Sequence, residues 1–299
     1  MPVFNGERFI AEAVESVLAS RFDDLELLVL LDDGSTDESA AAAARAAAGD
    51  PRVRLIAHPH APPSVARNIG LREARGDLIA NLDSDDAMFP DRLARQVSYL
   101  DRHPECVAVG SRALFVDAEG RPLRVGIRAF THEEIDRAHL EGRGGAILNP
   151  TATFRRQVAV AVGGYTSDLL TTGEDHDLWL RMAEAGRLTN LTDVLIRYRV
   201  HDRNASLGGT TREKRNVVTI GILTRAFARR GISDRAPALV KAPPLGQAER
   251  WADRALIRYF RGNRIGAGMC ALVAVALGPN VASVRGALRT VFSGLRPLS

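Results

Sequence analysis

Cysteine and lysine are scarce in this 299-residue sequence, which contains two of each. The two cysteines, Cys106 and Cys270, cannot form a disulfide framework, so we expect a protein of a reducing compartment such as the cytoplasm. Because the lysines are limited to Lys214 and Lys241, arginine supplies nearly all of the 40 basic residues, and the formal charge is only +4. So small an excess, without a dense basic tract interleaved with aromatic residues, argues against binding to nucleic acid.

Long hydrophobic runs are also missing. No basic N-terminal region precedes an apolar stretch, so the sequence shows no secretory signal. The most apolar segment, residues 265–277, is shorter than the about 20 residues that a membrane-spanning helix needs. The 45% of hydrophobic and 25% of charged residues are typical of a globular chain with a substantial core.

Short apolar runs alternate with helical patterns up to about residue 210. The predicted strands are residues 26–31, 53–57 and 78–82, and the predicted helices are residues 9–18, 35–48, 64–74 and a segment opened by Pro90. This alternation predicts an α/β fold with a doubly wound, mainly parallel sheet and helices on both faces. Such sheets bind ligands at the carboxyl ends of their strands. We therefore expect a nucleotide-like ligand in the first half, and an acceptor pocket shaped by the shorter strands after Cys106.

Two acidic clusters follow predicted strands. The first runs from Asp32 to Asp37 and places two carboxylates before Gly34. Capping the next helix needs one acceptor, so the second carboxylate is available to a pyrimidine base. The second cluster, residues 83–86, has three carboxylates that repel one another unless a cation lies between them. Mg²⁺ or Mn²⁺ suits these oxygen ligands and would neutralise a diphosphate, although a solvated acidic loop is the alternative.

A third acidic element, residues 173–181, is predicted to be a loop that enters a helix. Acidic residues at a helix N-terminus are favoured electrostatically without any catalytic role. Together with the other two clusters, however, this one indicates a general base aimed at an acceptor hydroxyl.

The order and spacing of these motifs resemble those of family 2 glycosyltransferases with the GT-A fold. The matching segments are residues 2–5 (PVFN), 32–37 (DDGSTD), 66–70 (ARNIG), 81–86 (NLDSDD), 163–165 (GGY), 174–180 (EDHDLWL) and 198–201 (YRVH). The resemblance covers about residues 1–210. It implies that a sugar passes, with inversion, from a nucleoside diphosphate sugar, with uridine diphosphate expected, to an acceptor in surface polysaccharide or glycolipid synthesis.

The resemblance also implies a role for each matching position. Asp175 is the expected catalytic base. The residues expected to bind the nucleotide sugar are Pro2, Phe4, Asn5, Asp32, Asp33, Arg67, Asn68, Asp83 and Asp85. The expected ligands of Mg²⁺ or Mn²⁺ are Asp86 in the first place, with Asp85 and His201.

The two ends of the sequence carry separate expectations. The resemblance implies an apolar strand before Pro2, where this sequence has only Met1. We interpret this as a start placed too far downstream, the alternative being a sheet without that inner strand. Residues 211–299 are predicted to form a helical extension without strands. Its segment 212–230 is interpreted as a packed helix with a solvated basic face or as a contact with the cytoplasmic face of a membrane, where a saccharide or lipid-linked acceptor would lie.

Two other functions stay open at this point. A nucleotidyltransferase shares a similar sheet and acidic metal site, although the glycine-rich basic loop expected near its first strand is not visible. A sugar-nucleotide-binding protein without activity is the other alternative, because the first strand is apparently truncated.

Overall fold

The computed structural model describes residues 1–167, 172–202 and 211–292. The first of its two sheets is parallel, and its strands are β1 (Pro2–Val3), β2 (Leu27–Asp32) and β3 (Val53–His58) in that order. The register aligns Leu30 of β2 with Pro2 on one side and with Ile56 on the other. Because the strands are parallel, the loops that follow them leave from one edge of the sheet.

Strand β1 lies where the resemblance implies a longer apolar strand. The amide nitrogen of Leu30 donates to the carbonyl oxygen of Met1 at 2.8 Å. The amino group of Met1 donates to the carbonyl oxygen of Leu28, also at 2.8 Å. Along this stretch, therefore, β2 has a backbone partner on the β1 side.

Helices α1 (Ile10–Leu18) and α2 (Ser39–Ala47) follow β1 and β2. The apolar stripe predicted for α1 is buried, with Ile10 and Val14 fully covered. Helix α2 begins at Ser39 rather than at the predicted Ser35, because the preceding residues bind the N-terminal loop instead. Asn5 connects to them twice, through its amide nitrogen to the Ser35 hydroxyl at 3.2 Å and through its Oδ1 to the amide nitrogen of Thr36 at 2.8 Å.

The second sheet is mixed. Its strands are β4 (Leu78–Ala80), β5 (Ala87–Met88), β6 (Cys106–Val116), β7 (Pro122–Gly126), β8 (Thr153–Arg155) and β9 (Arg187–Arg199). They lie in the order β4-β8-β6-β9-β5, with β7 paired to β6. Only β6 and β9 are parallel, and the other described pairs are antiparallel. The doubly wound α/β prediction is confirmed, and the antiparallel pairing arises because β6 and β7 form a hairpin and β8 enters beside them.

Five further helices precede residue 200. They are α3 (Pro63–Glu73), α4 (Arg92–Arg102), α5 (His132–Leu140), α6 (Arg156–Ala161) and α7 (Glu174–Ala185). Helix α7 carries a large part of the core, because Leu178, Trp179 and Met182 are completely buried. Trp179 meets Phe154 of β8 edge to face, with 5.6 Å between ring centroids. This packing fixes the N-terminus of α7, where the third acidic element lies.

The described residues from 211 to 292 contain helices and no strand, as predicted. These helices are α8 (Arg212–Arg230), α9 (Gln247–Phe260), α10 (Arg264–Leu277) and α11 (Ala282–Phe292). Helix α8 packs its Ile222 and Leu223 against Leu180 of α7. The predicted division after residue 210 and the last seven residues of the extension lie outside the described residues, so the two-domain division stays a prediction.

A buried ion pair attaches the last three helices to the second sheet. Arg112 of β6 is completely buried and donates to Asp253 of α9 at 2.5 Å. The other carboxylate oxygen of Asp253 accepts from Arg128, and Phe260 of α9 lies 5.5 Å from the Phe89 ring. Helix α9 is therefore bound to the sheet by charge as well as by apolar packing.

Candidate active site

The loop after β2 and the N-terminal loop form one side of the candidate site. Asp32 is buried, and its carboxylate accepts from the amide nitrogens of Gly34 at 2.9 Å and Ala61 at 3.1 Å. It also lies 2.9 Å from Nδ1 of His60. Burial alone would raise the pKa of Asp32, but these bonds outweigh it and hold the pKa below its usual value. The structure thus gives Asp32 the task of shaping the loop, whereas the sequence predicts contact with the base.

Asp33 and Phe4 are the outward-facing members of this side. Asp33 is exposed next to the buried Asp32, and Phe4 exposes 52% of its surface. The Phe4 ring lies 5.0 Å from the ring of His60, whose side chain is 64% exposed. Pro2 and Asn5, by contrast, have structural positions in the backbone. Pro2 pairs with Leu30 in the first sheet, and Asn5 adopts a left-handed φ of 48°. An exposed aromatic ring offers a surface on which a nucleobase can stack, and an exposed carboxylate can accept a hydrogen bond from such a base.

The second cluster lies between β4 and β5 and contacts the end of β9. Oδ1 of Asp86 accepts from the amide nitrogen of Arg199 at 2.8 Å, and its Oδ2 is buried without a described hydrogen-bond partner. Oδ2 of Asp85 lies 2.9 Å from Nε2 of His201. The guanidinium of Arg199 lies over the Phe9 ring at 4.7 Å, and His201 is 5.0 Å from the same ring. The predicted metal ligands Asp85, Asp86 and His201 are thereby brought together.

Burial and mutual repulsion disfavour the ionised form of two of these acids. The pKa of Asp86 is well above its usual value, because of burial first and then of the charges on Asp85 and Asp83. The pKa of Asp85 is also raised, by burial and by Asp83, although His201 partly offsets the effect. A cation would relieve this repulsion and occupy the unpartnered oxygen of Asp86.

The side chains of this cluster therefore suit the coordination of a hard divalent cation. Among the described residues, no three His, Cys, Asp or Glu side chains are gathered into a complete metal cage. Mg²⁺ does not require one, because it is usually held by one or two carboxylates together with substrate phosphates and water. Asp85 and His201, with Asp86 behind them, are the residues here that could hold such an ion.

Arg67 of α3 joins the second acidic cluster to the third. One of its terminal nitrogens donates to Asp83 at 2.9 Å and the other donates to Glu174 at 2.7 Å. Only 11% of the Arg67 side chain is exposed, so both ion pairs are largely shielded from water. Asp83 and Glu174 come from distant segments, and this one guanidinium fixes the distance between them.

Asp175 follows Glu174 in the first turn of α7. Its Oδ1 accepts from the amide nitrogen of His176 at 2.8 Å. Burial and, after it, the charge of Glu174 raise the pKa of Asp175, and Arg67 opposes them, so that the pKa is about 7. A carboxyl group whose pKa lies near neutrality is suited to general-base catalysis. The next acid of this motif, Asp177, differs, since it is bound by Arg181 and Thr166 and its pKa is lowered.

Asn68 has a different environment from the one that the sequence predicts. Its side-chain nitrogen donates to the carbonyl oxygen of Tyr165 at 2.7 Å, and its Oδ1 accepts from the Tyr165 amide nitrogen at 2.8 Å. Tyr165 is buried, and its hydroxyl lies 2.6 Å from Nδ2 of Asn81. Asn68 therefore fixes the turn at Gly163 and Gly164, both of which adopt left-handed φ values.

These segments meet at one edge of the molecule. The N-terminal loop touches the second acidic cluster, because an added Cβ on Gly6 would lie 3.2 Å from the Ser84 hydroxyl. The second cluster reaches the third through Arg67, and it reaches the end of β9 through His201. We call the side chains of this edge the acidic edge, which consists of Asp33, Asp83, Asp85, Asp86, Glu174 and Asp175.

Two members of the site are missing from the predicted set. The sequence assigns no role to Glu174, although it stands next to Asp175 in the same motif. His60 has a weaker signal, since it lies just after β3 and only the structure brings it to Asp32 and Phe4.

Comparison with known proteins agrees with this arrangement. The sequence model of the family described as Glycosyl transferase family 2 matches residues 1–161. EpsE of Bacillus subtilis (strain 168), described as a glycosyltransferase, is 34% identical over 204 residues, which are 67% of this chain and 71% of EpsE. This chain belongs to glycosyl transferase family 2. Another relative of this family 2 glycosyltransferase is the amylovoran biosynthesis glycosyltransferase AmsE of Erwinia amylovora, 32% identical over 64% of this chain and 70% of AmsE.

Solved structures show the same GT-A-like fold in other glycosyltransferases. TarS 1-349 of S. aureus, solved in complex with UDP-GlcNAc, superposes with a TM-score of 0.63 over 98% of this chain and 89% of TarS, at 16% identity. The mannosyltransferase PcManGT of Pyrobaculum calidifontis, solved with GDP-Man and Mn²⁺, has a TM-score of 0.55 at 20% identity, over 99% of this chain and 80% of PcManGT. The predicted GT-A fold is thereby confirmed for this family 2 glycosyltransferase.

None of the helices in the described part of the chain combines the length and the hydrophobicity needed to cross a membrane.

Proposed function

We propose that this chain is an inverting, divalent-cation-dependent glycosyltransferase that uses a UDP-linked sugar and builds a surface polysaccharide or glycolipid. The observation that carries the proposal is the position of Asp175. Its carboxyl group has a pKa raised to about 7, and a single arginine connects its loop to the second acidic cluster. A proton acceptor thus lies beside the acids that we assign to the donor.

The donor side follows from the contacts of the N-terminal loop and the second cluster. Asp33 and the Phe4 ring bind the base in this proposal, with Asp32 and Asn5 shaping the loop beneath them. Asp83 contacts the ribose and stays oriented by Arg67. The complex of TarS with UDP-GlcNAc supports a uridine nucleotide, and the GDP-Man complex of PcManGT is the reason for including that donor in the test.

The metal would lie at Asp85 and His201, with Asp86 as a further ligand. A divalent cation bound there supplies positive charge to the diphosphate leaving group. The Mn²⁺ in the PcManGT structure and the unpartnered oxygen of Asp86 support this assignment.

The transfer itself needs one base and no enzyme nucleophile. The Asp175 carboxylate takes the proton of the acceptor hydroxyl as that oxygen forms a bond to the anomeric carbon. The bond from this carbon to the diphosphate oxygen breaks, and the nucleoside diphosphate leaves with the electron pair. A single displacement of this kind inverts the configuration at the anomeric carbon.

The cellular setting of the proposal is the cytoplasm, with a saccharide or lipid-linked acceptor. Cys106 and Cys270 are both buried and unbridged, as in a protein of a reducing compartment. The name of AmsE, an amylovoran biosynthesis glycosyltransferase, supports an acceptor in polysaccharide synthesis.

Nucleotide release from defined donors tests the proposal. The purified chain is incubated with UDP-GlcNAc, UDP-glucose or GDP-mannose and Mn²⁺, and release of the nucleoside diphosphate is measured alongside thermal shifts. We expect metal-dependent release of UDP, a higher metal requirement in Asp85→Asn, and no change in Asp24→Asn, whose side chain is exposed. Thermal shifts without release would favour a sugar-nucleotide-binding protein, and neither signal with any donor would overturn the proposal.

A further inference from the structure

Helix α10 is apolar on all sides, yet the described residues of the chain cover only one side of it. Arg264, at its first position, is its only charged residue. Ala267, Ala271 and Ala274 face the neighbouring helices and are completely or almost completely buried. A helix that is apolar all round is normally buried all round, in a protein core or in lipid. We therefore expect the uncovered side of α10 to bind a partner.

The large side chains of α10 are those that face outward. Ile265 is 83% exposed, Met269 is 66% exposed and Leu272 is 62% exposed. Their spacing of four and three residues places them along one side of the helix. We call this side the α10 face, which consists of Ile265, Met269, Leu272, Val273 and Leu277, with Phe292 of α11 beside Gly268.

This exposure is concentrated in one place. Of the 13 large hydrophobic residues that are exposed in the described part of the chain, six belong to the α10 face. Single exposed hydrophobic residues are normal on a protein surface, whereas a contiguous group marks an interaction site. The α10 face is such a group.

The charged residues of the segment that carries the α10 face all have one sign. Residues 254–292 contain six arginines and no aspartate or glutamate. All six arginines are exposed. Arg258, Arg261 and Arg264 lie at the N-terminal end of α10, where the Arg258 guanidinium would lie 2.7 Å from a Cβ added to Gly266. Positive charge beside an apolar surface matches a partner that is apolar inside and anionic outside.

The length of α10 selects how it would meet such a partner. Its 14 residues are about 21 Å long, against about 30 Å for the hydrocarbon core of a bilayer. A short apolar helix flanked by arginine can lie in the membrane interface with its side chains buried among the lipids. We propose that the α10 face docks on an anionic lipid bilayer.

Helix α8, for which the sequence allows a membrane contact as one interpretation, binds other parts of the protein. Arg229 of α8 pairs with Glu184, and Arg230 pairs with both Glu184 and Asp136. Ile222 and Phe227 of α8 are buried. Because the C-terminal half of α8 is bound to the rest of the protein in this way, the membrane surface is placed on α10 instead.

Cosedimentation with lipid vesicles tests the docking surface. The whole protein is mixed with vesicles of phosphatidylcholine and phosphatidylglycerol, or of phosphatidylcholine alone. We expect binding to the anionic vesicles that weakens in high salt. Leu272→Glu or Met269→Glu should reduce it at least about tenfold, because a charge then enters the apolar interface. Arg264→Gln should reduce it about fivefold.

Val160→Glu is the matched control, since Val160 is 54% exposed on α6, outside the α10 face. It should bind vesicles like the unmodified protein, and all variants should keep their melting temperature because the changed side chains are exposed. Equal binding of Leu272→Glu, or no binding of the unmodified protein, would overturn the proposal. So would a dimer, seen by light scattering, that Leu272→Glu separates without any vesicle binding, since the occupant would then be a second copy.

Discussion

The acidic edge and the α10 face treat charge and apolar surface in opposite ways. At the acidic edge the acids are gathered, and the largely buried Arg67 pairs with two of them. Residues 254–292 contain no acids, and the large apolar side chains of α10 point outward. The contrast shows that one chain carries two surfaces suited to a partner. In our proposals, the acidic edge binds a cation and a diphosphate, and the α10 face binds an apolar partner.

The largest effect is expected from a change at the acidic edge alone. Asp175→Asn removes the proton acceptor, so turnover should fall by about 10²- to 10⁴-fold. Donor binding, measured by calorimetry with UDP, should be nearly unchanged, and so should vesicle binding. Asp24→Asn serves as the exposed control. Normal turnover of Asp175→Asn would show that another group takes the proton.

Asp253 of α9 pairs with Arg112 of β6 and so attaches the helices that carry the α10 face to the second sheet. Asp253→Asn leaves the completely buried Arg112 without its countercharge, which should cost about 3 kcal/mol of unfolding free energy. The melting temperature should then fall by roughly 6–12 °C. Asp234→Asn, at an exposed position before α9, is the control. If both variants melted at the same temperature, the ion pair would not hold α9 to the sheet.

Arg67 tests whether the two acidic clusters act together. Arg67→Gln removes both ion pairs, and we expect kcat/KM to fall on the order of 30-fold because the base and the donor acids lose their fixed separation. Arg67→Lys should recover only part of this activity, since one ammonium group cannot reproduce a planar fork. Arg72→Gln, exposed on the same helix, should behave normally. Full activity of Arg67→Gln would contradict the coupling.

The smallest effects concern pH. A base works in its deprotonated form, so turnover should rise with pH through about 7, the raised pKa of Asp175. Glu174→Gln removes a repelling charge and should move this rise to lower pH. A rise that stays at the same pH in Glu174→Gln would argue against Asp175 as its source.

The same raised pKa affects stability. The pKa of Asp175 is higher in the folded protein than the ordinary 3.8 of the unfolded chain, so the stability it contributes at low pH is lost as pH rises toward about 7. Asp175→Asn should therefore gain more in melting temperature, relative to the unmodified protein, at pH 8 than at pH 5. An equal gain at both values would mean that the carboxyl group is not buried in its charged form.

Much of the fold could be predicted because its signals are local. The stripe of α1, the runs of β2 and β3 and the acidic loops follow from spacing and from turn residues, and the structure reproduces them within a few positions. The antiparallel partners of β6 could not be predicted, because pairing direction depends on contacts between distant segments. The later start of α2 has a similar cause, namely the bonds from Asn5 to Ser35 and Thr36.

The limits of prediction from sequence are clearest where neighbouring residues of the same type have different environments in the structure. Asp32 and Asp33 are equivalent in sequence, but His60 and Ala61 bind Asp32 and leave Asp33 at the surface. Asn68 stands in a typical binding motif, yet Tyr165 occupies both ends of its amide. On α10 the apolar pattern identifies a helix, but only the packing of α9 and α11 decides which side is left uncovered.

Arg67 has one more consequence. It is a common counter-ion for Asp83 and Glu174, and Asp175 feels the charges of all three. The proton affinity of Asp175 therefore depends on charges in both of the segments that Arg67 joins. A ligand that neutralises the charge of Asp83 would ease the deprotonation of Asp175. Binding of a ligand at the second acidic cluster would thus change the protonation of the base at the N-terminus of α7, because Arg67 joins the two segments.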